Sequence, residues 1–204
     1  MTHAMIACED IASHPDFCTL RTLVGVDIDL RYASTDNFLS RNFYGALDCA
    51  YLRQEAAEGL RSAAQWVDTQ CPGHRIRVLD ALRPQSVQEQ LYRELEATPL
   101  ARYLANPTHG SIHSFGMAVD VTLLDSTGSE LDMGSGFDEM TPVSHTDCED
   151  MLVAQGQLQQ QHLRHRGWLR SAMQHGGFHG ISTEWWHFDF GDRTAVRRDL
   201  PRVR

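Results

Sequence analysis

The sequence predicts a single α+β domain with a mostly antiparallel central sheet and flanking helices. Helix-spaced segments are separated by isolated strand-like ones, with no regular βαβ rhythm. The length of 204 residues suits one domain with a substantial core. At 42% hydrophobic and 22% charged, the composition is that of a globular protein and excludes wholesale disorder.

Residues 1–20 are weakly patterned and are expected to be loosely attached, leaving 21–204 as the domain. The stretch RTLVGVDIDL (21–30) spaces Leu23, Ile28 and Leu30 along a strand. RYASTDNFLSRNFYG (31–45), rich in Ser, Asp, Asn and Tyr, reads as a long loop of the kind that is often placed for binding. Leu52, Ala56, Leu60, Ala63, Ala64 and Val67 recur at helical spacing, predicting a helix over 52–70 that Cys71-Pro72-Gly73 ends. A short strand follows at 76–80. A second helix starts at Ser86, with Ser86 and Glu89 as a capping box and Val87, Leu91 and Leu95 as its buried stripe. Residues 105–116 form a polar loop. In 117–124, Met117, Val119, Val121 and Leu123 alternate with Ala118, Asp120, Thr122 and Leu124, which is a strand pattern. Thr146 and Glu149 cap a further helix that runs with an interruption to about Met173, closed by paired glycines. Residues 184–190 make an aromatic-rich strand.

Charge and cysteine content narrow the function. All 18 basic residues are arginine; against 27 acids they leave a net charge of −9, which argues against nucleic acid as the partner. Only the tail 193–204 is locally basic, and it is expected to be a solvated terminus. No apolar run is long enough to span a membrane and no secretory signal is visible. Five cysteines in no CxxC pattern suit reduced thiols in a cytoplasmic protein rather than a disulfide scaffold or thiolate zinc knuckle. None sits in a recognisable nucleophile motif.

Two segments carry chemistry: Ser111-Ile112-His113-Ser114-Phe115-Gly116-Met117-Ala118-Val119-Asp120 and Glu184-Trp185-Trp186-His187. His113 leaves a glycine-containing loop at the start of a strand. Asp120 lies on that buried strand, where a carboxylate must be paired or ligated. His187 is set among aromatics. Two imidazoles and one carboxylate suit a zinc ion and leave its fourth position for water or substrate. Glu184 is the candidate general base. On an ideal strand i and i+3 face opposite ways, so it can share the site with His187 only from a turn, which Gly180, Ser182 and Thr183 allow. Arg83, just before Pro84, reads either as a surface salt bridge or as a fixed cation for an oxyanion. Trp185 and Trp186 read as packing or as pocket walls. The histidine pairs 109/113 and 175/179 are broken by glycines or proline, and His162 and His165 read as neighbours on a solvated helix; none is favoured as a metal site.

The pattern SxHxxGxAxD followed much later by Glu184-Trp185-Trp186-His187 resembles the zinc D-alanyl-D-alanine dipeptidases of the vancomycin-resistance type, a group related to D,D-carboxypeptidases, lysostaphin-like peptidases and hedgehog domains. Three further stretches carry the resemblance: 31–38 (RYASTDNF), 81–86 (ALRPQS), and Asp132-Met133-Gly134 with Phe137-Asp138. It runs from about residue 20 to 192. It implies His113, Asp120 and His187 as ligands of one Zn²⁺ per chain, Glu184 as catalytic base, and Arg83 as the arginine that stabilises the transition state. Ser111 and Asp138 match positions at the substrate pocket, where they would meet a carboxylate and a free amino terminus. The departures are Leu82 for the usual aromatic and Phe115 for a polar or basic residue; both bear on substrate range.

The reading is a zinc metallopeptidase that hydrolyses a small D,D-dipeptide, D-Ala-D-Ala foremost. Its rivals are a D,D-carboxypeptidase or muropeptide peptidase of the same group and, from a different class, a zinc-binding recognition module without turnover.

Overall fold

The computed structural model describes residues 4–103 and 105–204. Its centre is a five-stranded sheet built from β2 (Val26–Ile28), β4 (Arg75–Asp80), β5 (Ala118–Leu124), β7 (His187–Phe190) and β6 (Phe178–Gly180), in that spatial order. β2 runs parallel to β4, and every other pairing is antiparallel. A separate antiparallel pair joins β1 (Phe17–Thr19) to β3 (Tyr51–Arg53). The domain is therefore α+β.

Among the described residues five α-helices flank the sheets: α1 (Gln54–Gln70), α2 (Gln85–Leu95), α3 (Glu149–Ala154), α4 (Gln160–His175) and α5 (Arg193–Asp199). α1 buries the apolar stripe its spacing predicts, from Ala56 to Val67. It packs against α4 and β4. Gly59 lets the chain approach there: a Cβ on it would stand 2.4 Å from the Gly176 carbonyl oxygen. Leu52 fits the helical spacing, but it lies in β3 opposite Cys18 and α1 begins two residues later. α2 starts at Gln85 behind Pro84, without the Ser86–Glu89 box. Glu89 instead accepts from the Gln85 amide one turn back, at 3.1 Å. Thr146 caps no helix; it bonds to the carbonyls of Ser182 and Ile181. The expected interruption falls at residues 155–159, between α3 and α4.

The ends of the chain correct two expectations. Residues 4–20 are not loosely attached: Cys8, Ile11, Phe17 and Leu20 are core residues, and Ile6 bridges to Val203. Nor is the basic tail a solvated terminus. It forms α5, buries Val196 and Val203, and is tied through the Pro201 carbonyl to the buried Arg53 guanidinium. The outermost residues of the two ends pair with each other, Ile6 N–H with the Arg202 carbonyl and Cys8 N–H with that of Arg204.

Candidate metal centre and substrate cavity

Three strands set the centre of the site. Asp120 on β5 pairs with His187 on β7 and with Asp80 on β4, so the three side chains lie in a row across the sheet. The β4–β5 register shifts between Val78 and Asp80, a bulge at Leu79. Without it Leu79 would oppose Asp120. The bulge turns Asp80 into the row.

His113 comes from a single 3-10 turn, Ile112–Phe115, that Gly116 closes in the left-handed region at φ 69°. A Cβ on Gly116 would stand 2.6 Å from a Phe17 ring carbon. The glycine of the first motif therefore answers both the backbone and the packing.

His113 Nε2 lies 3.1 Å from His187 Nδ1 and 3.3 Å from Asp120 Oδ1; the third side of the triangle, His187 Nδ1 to Asp120 Oδ1, is 3.0 Å. The opposite ring nitrogens fix both tautomers. His113 Nδ1–H donates to the Ala81 carbonyl at 2.7 Å, and His187 Nε2–H donates to Asp189 at 2.9 Å. Two imidazole lone pairs and a carboxylate oxygen thus meet without a donor among them. Such a set repels itself unless a cation joins it. Ligands held about 2.0–2.1 Å from a tetrahedral zinc ion stand roughly 3.3 Å apart, close to this triangle. The residues present therefore fit a metal ion, with the outer partners that orient such ligands already in place. The carboxylates draw positive charge to the same place. Burial opposes charge on His187, but Asp189 and Asp120 outweigh it and hold its pKa well above the usual value, so without a metal ion a proton on Nδ1 fills the cation's part. Burial likewise opposes the Asp120 carboxylate, yet His113 and His187 hold its pKa below the ordinary range.

Around the triangle is a cavity of about 270 Å³. Arg83, Ser111, His113, Asp120, Asp138, Glu184 and His187, all singled out in the sequence, line this one space. Glu184 precedes β7 on irregular backbone, which removes the objection that i and i+3 face apart. Burial raises its pKa, with His187 pulling the other way. Arg83 is no surface salt bridge. It is buried, gives Nε and Nη2 to Asp80 at 2.9 and 2.6 Å, and lies 4.8 Å over the Tyr32 ring. Asp138 is buried at φ 58°, with Oδ2 unpartnered and its other contact the Tyr32 hydroxyl. Trp186 is both packing and wall, edge-on to Phe137 and facing the cavity, whereas Trp185 ties down Ser135.

Several partners escape the sequence reading. Asp80 holds Arg83 and also accepts from the Tyr44 hydroxyl. Asp189 orients His187, and i, i+2 spacing on one strand was its available signal. Asp80 had only its place three residues before Arg83. His162 and His165 are not on a solvated face. They are buried, His165 bonding the Asp132 carbonyl at 2.7 Å, and they brace the 132–135 loop beside the site.

A family model described as D-ala-D-ala dipeptidase, of the M15 peptidases, matches residues 16–203. A D-alanyl-D-alanine dipeptidase of Escherichia coli K12 is 38% identical over 80% of this chain and 78% of its own. One from Enterococcus faecium is 31% identical over 82% and 87%. A solved LdcB LD-carboxypeptidase, 15% identical, superposes with a TM-score of 0.49 over 92% of this chain and 75% of its own.

Proposed function

The chain belongs to the M15 D-ala-D-ala dipeptidase family, a family of metal-dependent peptidases, and from that premise we propose that it hydrolyses the D-Ala-D-Ala dipeptide with one zinc ion per chain. The observation that carries the proposal is the triangle of His113 Nε2, His187 Nδ1 and Asp120 Oδ1 in the wall of a small cavity that also holds Glu184.

In this reading His113, Asp120 and His187 hold the ion. When bound, it supplies Lewis-acid chemistry that polarises a carbonyl and makes water acidic near neutral pH. Glu184 takes the proton of the attacking water and returns it to the leaving amine nitrogen; a carboxyl raised by burial is better matched to giving that proton back. Arg83, locked on Asp80 and Tyr32, presents a fixed guanidinium to the charge that develops on the carbonyl oxygen. Asp138 takes the substrate ammonium with its unpartnered oxygen, and the Ser111 hydroxyl donates toward the carboxylate. The cavity, about 270 Å³, has room for a dipeptide. The five free thiols suit a reducing compartment, and the proposal places the enzyme in the cytoplasm.

Purified protein assayed with D-Ala-D-Ala, L-Ala-L-Ala and a D-Ala-D-Ala-terminated tripeptide tests this. Cleavage of the D,D-dipeptide, lost with chelator and restored by zinc, is the expected result. Preference for the tripeptide points to a D,D-carboxypeptidase instead, and zinc-dependent binding without cleavage to a recognition module. Glu184→Gln should keep zinc binding while lowering turnover by about 10²- to 10⁴-fold; unchanged turnover removes Glu184 from the mechanism.

A further inference from the structure

The basic tail brings two more charges to the cavity wall, Arg193 and Arg197. Arg197, on α5, is half-buried and lines the wall. Its Nε and Nη2 donate to the Gly110 carbonyl at 3.3 and 3.2 Å, immediately before Ser111. A guanidinium has five N–H donors. Those two bonds leave three unused. Among the described residues no carboxylate is bonded to Arg197, and the acid on the adjoining strand is committed. Asp189 gives one oxygen to His187 at 2.9 Å and the other to Arg193 at 2.7 Å. Burial, then Arg193 and Arg202, lower the pKa of Arg197, with Asp189 pulling the other way. Asp138, on a different wall beside Tyr32, has the opposite deficit, a buried carboxylate oxygen without a donor. The cavity thus has an anionic and a cationic station, each incomplete, as a zwitterion would require.

We propose that Arg197 is a specificity-determining residue that receives the C-terminal carboxylate of the substrate beside Ser111. The inference rests on the D,D-dipeptidase reading and deepens it. It explains how the site tells a free dipeptide from an internal D-Ala-D-Ala bond. A planar guanidinium anchored on one edge offers its other edge to two carboxylate oxygens, which a lysine could not reproduce.

The test compares D-Ala-D-Ala with D-alanyl-D-alaninamide, which lacks the negative charge, on the zinc enzyme and its Arg197→Gln and Arg197→Lys variants. Arg197→Gln should raise KM for D-Ala-D-Ala by about 10- to 100-fold, the size set by a charged hydrogen bond, with kcat much less affected. The loss on the amide should be much smaller, and Arg197→Lys should recover only part. Equal losses on both substrates would show that Arg197 merely props Gly110, and no loss on either would also overturn the proposal. If the wild type cleaves no D-Ala-D-Ala, the dipeptidase reading fails. The carboxylate contact is then decided by calorimetric binding to Glu184→Gln and to Glu184→Gln/Arg197→Gln. It stands if only the first prefers the dipeptide to its amide, and falls otherwise.

Discussion

Replacing Asp138 by Asn should stabilise the metal-free protein at neutral pH while impairing the enzyme. Asp138 occupies left-handed backbone at φ 58°, a region that Asn tolerates about as well as Asp, so the change adds no backbone strain. What it removes is a buried charge. Burial, then the nearby Asp120 carboxylate, push the Asp138 pKa well above the usual range; Arg83 and the Tyr32 hydroxyl offset this only in part. The unfolded chain titrates near the ordinary value of about 3.9. Below that pH both states are protonated and Asp138 costs nothing. Above it the unfolded state releases its proton first, so the folded state binds more protons and stability falls as pH rises. The slope is about 1.4 kcal/mol per pH unit until the folded pKa is passed. Asn does not titrate, so its advantage should be near zero around pH 4 and widen toward pH 8.

Relaxation limits the size. One buried acceptor left without a partner costs about 1–3 kcal/mol. For a domain of this length each kcal/mol moves Tm by roughly 2–4 °C. The expected gain near pH 7.5 is therefore about 2–12 °C. Scanning calorimetry of both proteins in chelator, from pH 4.5 to 8, measures it. On the proposed role of Asp138 as partner of the substrate ammonium, the same substitution should lower kcat/KM for D-Ala-D-Ala. A Tm gap that stays flat with pH, or narrows as pH rises, refutes the argument.

Asp80→Asn removes the anion on which the buried Arg83 is fixed, and breaking such a pair costs about 3–5 kcal/mol. The denaturant midpoint and kcat should both fall while zinc affinity changes little; an unchanged kcat would separate Arg83 orientation from catalysis. Gly116→Ala meets both a left-handed φ and the Phe17 ring 2.6 Å away, so it should cost about 1–3 kcal/mol and weaken zinc binding by displacing His113. Thermal melts with and without zinc check this, and an unchanged Tm contradicts it.

What could be read from the sequence was what a few neighbouring residues decide among themselves. The α1 stripe follows from a 3.6-residue period. The first motif encodes a tight turn, the glycine that closes it and a buried aspartate on the next strand, all within ten residues. What could not be read depends on partners distant in the chain. Leu52 satisfies a helical spacing yet is claimed by Cys18 across β1. The two termini lack any pattern until Ile6 meets Val203. Asp80 is the sharpest case. Its role depends on a single extra residue in β4, since a one-residue slip sends every side chain to the other face of a sheet. Unbulged, β4 would set Leu79 against Asp120 and turn the anchor of Arg83 away from the metal centre. No local propensity marks that bulge; the pairing with β5 creates it. The motifs name the candidate groups, while strand register decides whether they meet, and a substitution at Leu79 that shifted the bulge would dismantle the site with every motif residue still in place.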